Sequence, residues 1–176
     1  RHFPDDVSPV RRGVNRLVLN RLADAVTACC AFSARALSQT DGFTGRRVEI
    51  IENGIEPERY DLEIDRAAVC ERLGLNARKR FIAMIARFHP VKDHAMLLRA
   101  FARVASARED VELLLVGDGP LRTDLETLAA NLGIVGRVRF LGVRDDVPAI
   151  LQAVDVFALT SVCEAASLTL LEAMVA

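Results

Sequence analysis

The sequence predicts an α/β fold: a Rossmann-like parallel sheet with helices on both faces. Two observations predict it. Short runs such as Phe81-Ile82-Ala83-Met84-Ile85-Ala86 and Val111-Glu112-Leu113-Leu114-Leu115-Val116 are almost wholly apolar. That is how strands read when both faces of a parallel sheet are covered. Amphipathic stretches of helical period alternate with these runs, and strand–helix alternation of this length builds a doubly covered sheet.

The elements follow in order. Val26–Cys30 and Val48–Ile51 are short and β-compatible. Asn53-Gly54 is a turn signal and Pro57 follows it, so a domain boundary is placed there. Residues 1–54 read as the last helix–strand units of a preceding domain, and residues 55–176 as a second domain that is incomplete at its C-terminal end. Both ends of the chain read as cut. A helix from about Asp65 to Leu73 is ended by Gly74. After the strand at 81–86, residues 95–107 place Leu97, Leu98, Phe101 and Val104 on one helical face. The strand at 111–116 precedes a helix over 121–132, with Leu121, Leu125, Leu128, Ala129 and Leu132 in phase and Gly133 as its C-cap. Val138–Leu141 and Val156–Leu159 are further strands, with a short helix from about Val147 to Ala153 between them. A final helical pattern carries Glu172.

Bulk properties narrow the function classes. The chain has 176 residues, 51% hydrophobic and 27% charged, as suits a globular core. A formal net charge of −1 implies no affinity for polyanions, so nucleic acid is not an expected partner. No apolar run approaches the roughly 20 residues of a membrane span. Cys29, Cys30, Cys70 and Cys163 lack metal-ligand spacing and read as small core residues, which points to a reducing cytoplasm.

In open parallel sheets, ligands bind beyond the carboxyl ends of the strands, so the residues after each strand matter most. After Ala86 come Arg87 and Lys92, bracketing a loop stiffened by Pro90. Two cations so spaced can converge on one diphosphate, the arginine as a fork and the lysine as a point charge. The plain alternative is a solvated loop. His89 and His94 flank Lys92 and read as surface or packing residues. After Val116 comes Gly117-Asp118-Gly119-Pro120, where glycine permits a tight turn and close backbone approach. After Leu141 come Gly142, Val143, Arg144, Asp145 and Asp146. The two aspartates could mark a metal, but one of them capping the helix at Val147-Pro148 is the favoured reading.

After Leu159 come Thr160, Ser161 and then Glu164-Ala165-Ala166-Ser167-Leu168-Thr169-Leu170-Leu171-Glu172. A carboxylate at a strand-to-helix turn, a small-residue loop and a second carboxylate on the helix can hold a polyhydroxylated ligand. Carboxylates accept hydrogen bonds from hydroxyls, and free N–H groups at a helix start favour anions. A nucleotide sugar carries both kinds of group.

The chain resembles glycosyltransferase family 4, the retaining, nucleotide-sugar-dependent enzymes of the GT-B fold. Five ordered segments carry the resemblance: Asn53-Gly54-Ile55, Ala86-Arg87 through Lys92-Asp93, Val116 through Leu121, Val138 through Gly142, and Glu164 through Met174. The resemblance implies the donor-binding half of a GT-B fold with a remnant of the acceptor domain. It also implies roles, position by position. Arg87 and Lys92 bind the donor diphosphate and steady the departing nucleotide. Glu164 faces the transferred sugar, and the backbone of Ala166, Ser167 and Leu168 meets phosphate or sugar hydroxyls. Glu172 accepts the ribose hydroxyls. The loops carrying Gly117 and Asp118, and Gly142 and Val143, flank the nucleobase. Glu164, Arg87 and Lys92 form the catalytic group.

Such enzymes use a UDP- or GDP-sugar as substrate, with no cofactor and no metal. The acceptor is a saccharide or lipid-linked hydroxyl, bound by the other domain, in cell-surface polysaccharide or glycolipid synthesis. The setting is cytoplasmic, or peripheral at the inner face of the membrane for the full-length protein. The fragment alone is expected to bind a nucleoside diphosphate and transfer no sugar. Where the family often has glycine, this chain has Ala86, Asp93 and Ala165. Two rival readings are a nucleotide-sugar epimerase of the same fold and a non-catalytic nucleotide-sugar binding module.

Overall fold

The computed structural model describes residues 9–40 and 48–176. They fall into two compact units. One takes in the described residues up to Gly54 together with Cys163–Leu168; the other takes in Ile55–Val162 and Thr169–Ala176.

The first unit holds helix α1 (Pro9–Arg21), strand β1 (Thr27–Ala28), helix α2 (Ala31–Thr40) and strand β2 (Glu49–Ile50). The two strands pair in parallel, Thr27 opposite Glu49 and Ala28 opposite Ile50. Regular pairing is shorter here than the β-compatible sequence runs, and Val26 and Ala28 supply the buried side chains.

The second unit alternates regularly: α3 (Arg66–Arg72), β3 (Arg80–Ile85), α4 (His94–Ala107), β4 (Val111–Val116), α5 (Arg122–Asn131), β5 (Val138–Gly142), α6 (Val147–Ala153), β6 (Val156–Phe157) and α7 (Leu168–Val175, its first residue grouping with the other unit). Local chemistry sets several ends. Asp65 accepts the Ala67 amide at 2.8 Å and starts α3. Gly74 (φ 65°) and Gly133 (φ 70°) take the left-handed turn after α3 and α5. β6 is shorter than its apolar run, because only Val156 and Phe157 pair with a neighbour.

The sheet runs β5-β4-β3-β6 and is wholly parallel. All six residues of β4 are buried, as a central strand requires. On one side Met84, Leu113 and Leu115 pack with Leu98 and Phe101 of α4 and Leu125 and Ala129 of α5. On the other, Phe81, Ala83 and Leu114 meet Cys70 and Leu75, while Ile85 and Val116 meet Ile150, Leu151 and Tyr60. Each large apolar side chain so buried stabilises by about 1.5–3 kcal/mol relative to exposure.

The amino ends of the strands are held by arginines. Arg66 donates to the carbonyls of Ala153, Ala77 and Lys79, each at 2.9 Å, and pairs with Asp155 at 3.2 Å. Arg137 reaches the carbonyls of Val111 and Arg108. The carboxyl ends carry the loops of interest. The chain moves from β3 to β4 to β5 in one direction and then returns to place β6 on the other side of β3. The strand order therefore reverses between β3 and β6, and such a switch point opens a crevice at the carboxyl ends.

Candidate functional site

Arg87 and Lys92 lie on the loop after β3, at that switch point. Arg87 is exposed and makes no ion pair among the described residues. The loop itself is fixed. Phe88 is fully buried, and its amide donates to the Asp118 carbonyl at 2.9 Å. The Leu121 amide donates back to Phe88 at 3.3 Å, and the Ala86 amide to Val116 at 3.0 Å. Gly117 and Gly119 are what allow this approach. A Cβ on Gly117 would stand 2.3 Å from the Ala86 carbonyl oxygen, and one on Gly119 would stand 2.5 Å from that of Phe88. The close approach expected of these glycines is thus made to the neighbouring loop of the same chain. Asp118 accepts its neighbour's amide, Gly119 N, at 2.7 Å and pairs with Arg122 at 3.3 Å.

Lys92 closes a short 3-10 turn over Pro90–Lys92, and His89 at the head of that turn accepts the Val91 amide through Nδ1. Asp93 then adopts a left-handed conformation (φ 47°, ψ 50°) and caps α4 by accepting the Met96 amide at 3.1 Å. Aspartate is among the few residues that visit this region readily, so it meets the backbone demand glycine would otherwise meet. The strand on the far side of the switch point pins the same loop. Thr160, beyond β6, donates its hydroxyl toward the carbonyl oxygens of Lys92 and Asp93, at 3.1 and 3.0 Å, and the Val162 amide donates to Val91 at 2.9 Å. Sequence reading placed Thr160 after the last strand but gave it no role. The signal for the Asp93 cap, an aspartate directly before an apolar-periodic run, was present in the sequence and went unused.

His94, the first residue of α4, is 1% exposed, and neither ring nitrogen has a hydrogen-bond partner. It packs edge-on against Phe88 with ring centroids 4.9 Å apart, which is the packing role expected of it. Burial, with Lys92 nearby, lowers its pKa from 6.5 to about 4. The unfolded chain therefore takes up a proton that the folded one refuses between about pH 6.5 and 4. Stability from this group is complete above pH 6.5 and falls by about 2–3 kcal/mol as the pH drops to 4. Urea unfolding at pH 7 and pH 4.5 checks this: His94→Leu is expected to flatten the loss relative to wild type, and an equal loss in both would assign it elsewhere.

The loop after β5 carries Gly142, Val143, Arg144, Asp145 and Asp146. Gly142 (φ 69°) accepts the Gly117 amide at 2.7 Å, tying this loop to the one after β4. Asp146 stands at the N-cap position of α6, yet its carboxylate caps no amide there. That corrects the capping expectation. The carboxylate is taken by Arg144, with contacts of 2.9 Å from each oxygen, and by Arg72 at 2.7 Å, and guanidinium forks outcompete a backbone amide. The Arg144 hydrogen bonds hold the Asp146 carboxyl below the usual range. Val143 is exposed and, with Arg72 and residues 144–146, lines an open cavity of about 430 Å³. Among the described residues no three His, Cys, Asp or Glu side chains come together as a metal cage.

Glu172 lies one turn into α7 and is half-buried. Its carboxylate accepts a hydrogen bond from the hydroxyl of buried Tyr60, and burial together with that carboxylate raises the Tyr60 pKa. Tyr60 is held in turn through its carbonyl by the Gln152 side chain. Sequence reading did not single out Tyr60.

Glu164, Ala166 and Ser167 lie in the segment that groups with the first unit, and Leu168 begins α7. Glu164 is half-buried. The Ala165 carbonyl accepts the Cys30 thiol at 3.1 Å, and the Ala166 carbonyl accepts Asn53 Nδ2 at 3.2 Å. The expectation that the cysteines are core residues holds for Cys70 alone; Cys29, Cys30 and Cys163 are half-buried. Hydrogen bonding from Ser33 lowers the Cys30 thiol.

Residues 65–176, more than half of the chain, match the family described as Glycosyl transferases group 1. The Bacillus subtilis (strain 168) protein EpsF, named as a glycosyltransferase, is 33% identical over 160 residues, covering 90% of this chain and 41% of its own. The 2-deoxystreptamine glucosyltransferase of Streptomyces kanamyceticus is 31% identical over 179 residues, covering 96% and 44%. Among solved structures, Anabaena HepE in complex with UDP and glucose superimposes with a TM-score of 0.86 at 27% identity, covering 98% of this chain and 48% of that one. The chain thus spans less than half the length of these relatives. Parallel sheets with helices, in the arrangement shared by GT-B glycosyltransferases, and a family match that takes in the loops of Arg87, Gly117, Gly142 and Glu172 lead to one conclusion: this chain belongs to the group 1 glycosyl transferases.

Proposed function

We propose that the full-length protein is a retaining glycosyltransferase of family 4 type, moving a sugar from a nucleoside diphosphate to a hydroxyl acceptor in the synthesis of a cell-surface glycan. The observation that carries this reading is the Arg87/Lys92 loop. It sits at the switch point of a parallel sheet, braced by Gly117 and Gly119 on one side and by Thr160 on the other. A braced loop with an exposed arginine suits a diphosphate, because the cations can be held in place before the ligand arrives. The crystal complexes of HepE with UDP and with UDP-glucose support a nucleotide sugar as the ligand class.

In this reading the anomeric carbon becomes cation-like as its bond to phosphate breaks, and Arg87 and Lys92 offset the charge that collects on the departing diphosphate. Glu172, its carboxylate oriented by Tyr60, accepts the ribose hydroxyls. Glu164 faces the transferred sugar, the backbone of residues 166–168 meets sugar or phosphate oxygens, and the loops of Gly117–Asp118 and Gly142–Val143 flank the base. Fixed cations at the leaving group do what a divalent metal does elsewhere, so the proposal includes no metal.

Calorimetry with UDP and GDP tests the binding half of this. The chain is expected to bind one of them without transferring sugar. No heat from folded protein at millimolar nucleotide would sink the reading. Glu172→Ala is expected to weaken that binding by about 1–3 kcal/mol, the usual effect of losing hydrogen bonds to a charged group. Unchanged affinity would remove Glu172 from the ribose role.

A further inference from the structure

Two side chains far from Glu164 in sequence meet the loop that carries it. The Cys30 thiol, directly before α2, donates to the Ala165 carbonyl at 3.1 Å. The Asn53 side-chain amide, beyond β2, donates to the Ala166 carbonyl at 3.2 Å. These are consecutive carbonyls, immediately after Glu164 and immediately before Ser167. Residues 158–167 form a run without regular secondary structure, so no helix or strand ladder fixes these two peptides. Cys30 is itself placed: its sulfur accepts the Ser33 amide at 3.5 Å and lies 3.4 Å from the Ser33 hydroxyl.

We propose that Cys30 and Asn53 are positioning residues for the Glu164 loop, holding the peptides that follow Glu164 by two side-chain hydrogen bonds to the Ala165 and Ala166 carbonyls. The inference rests on the glycosyltransferase reading, in which Glu164 and the backbone of residues 166–168 face the donor. Neither side chain touches the donor in this scheme. Each fixes the direction of a peptide plane, and two adjacent planes together set where the Glu164 carboxylate and the amides beyond it point. Small displacements of such groups reduce turnover steeply, because the reacting geometry must be met closely. The bond needs a donor at position 30, so serine replaces cysteine there and alanine does not. At position 53, aspartate keeps the shape of asparagine but turns an N–H donor into an oxygen facing a carbonyl.

The test uses the full-length protein and four variants: Cys30→Ala, Cys30→Ser, Asn53→Asp and the Cys30→Ala/Asn53→Asp pair. Two readouts are compared. The first is cleavage after Glu164 by a Glu-specific protease under native conditions, with cleavage after exposed Glu109 as internal reference. Loss of one hydrogen bond is expected to speed cleavage at Glu164 about fivefold in Cys30→Ala and in Asn53→Asp, with Cys30→Ser at the wild-type rate. The second is turnover of the nucleotide sugar the protein uses. There kcat is expected to fall about tenfold or more in Cys30→Ala and Asn53→Asp and to be restored in Cys30→Ser. Unchanged cleavage at Glu164 in both Cys30→Ala and Asn53→Asp would overturn the inference, whatever the activity. So would faster cleavage with unchanged kcat, or a Cys30→Ser variant no better than Cys30→Ala. A wild-type protein that turns over no nucleotide sugar overturns the glycosyltransferase reading and this inference with it; normal wild-type turnover with indifferent variants overturns the inference alone.

Discussion

In the full-length protein, Arg87→Ala is expected to lower turnover about 100- to 1000-fold, the usual cost of removing one preorganised charge-stabilising group. Stability should move by less than about 0.5 kcal/mol, as for an exposed side chain with no structural partner. The asymmetry follows from where Arg87 stands. Its side chain is exposed, while the backbone around it is locked by Phe88, Gly117 and Gly119. The loop therefore keeps its shape without the guanidinium. Turnover of a panel of nucleotide sugars and the urea midpoint measure the two sides. Arg87→Lys should recover part of the loss, since it restores the charge without the fork. Equal activity of Arg87→Ala and wild type would end the diphosphate assignment.

Gly117→Ala is expected to reverse that pattern, destabilising the protein by about 3–5 kcal/mol, in the range reserved for a backbone clash combined with a disfavoured dihedral. At φ 131° an L side chain is strained whatever the space. The added methyl would also stand 2.3 Å from the Ala86 carbonyl oxygen, far inside contact distance, and that atom is backbone that cannot swing aside. Relief requires parting the loops after β3 and β4, so the Arg87 loop would be displaced along with the loss of stability. Urea unfolding checks the magnitude. Gly136→Ala is the control: nothing lies within 4 Å of its Cβ position, and its effect should stay within about 0.5 kcal/mol. A Gly117→Ala protein as stable as that control would show that the two loops do not need their close approach.

Much of the second unit was legible in the sequence for one reason. Apolar runs of strand length and amphipathic runs of helix length are local patterns, and β3, β4, α4, α5 and α6 are local enough to be set by them. The strand ends follow to within one residue, expected at Ala86, Val116 and Leu141 and found at Ile85, Val116 and Gly142, and with them the places where loops carry charge. Less legible were elements whose limits depend on a neighbour. β6 ends after Phe157, although the apolar run continues, because pairing with β3 stops there. The role of Asp146 was misread because two guanidiniums compete for its carboxylate, Arg144 two residues before it and Arg72 on α3, and the second of these is not visible in the local sequence. The same distance hid Tyr60 from Glu172 and Thr160 from Lys92.

The sequence by itself determined the alternation of strands and helices, the strand ends that carry Arg87, Lys92, Gly117 and Gly142, and the ordered motifs that mark a group 1 glycosyl transferase. Those features reside in side-chain type and spacing along the chain. Only the tertiary structure decided which strand ends adjoin. The order β5-β4-β3-β6 sets the reversal beside β3, gives Gly117 and Gly119 the Ala86 and Phe88 carbonyls as neighbours, and brings Thr160 to the carbonyls of Lys92 and Asp93. The physical reason is that backbone-to-backbone approach and side-chain pairing join residues tens of positions apart, and no local period encodes which of many compatible strand orders buries the apolar faces best.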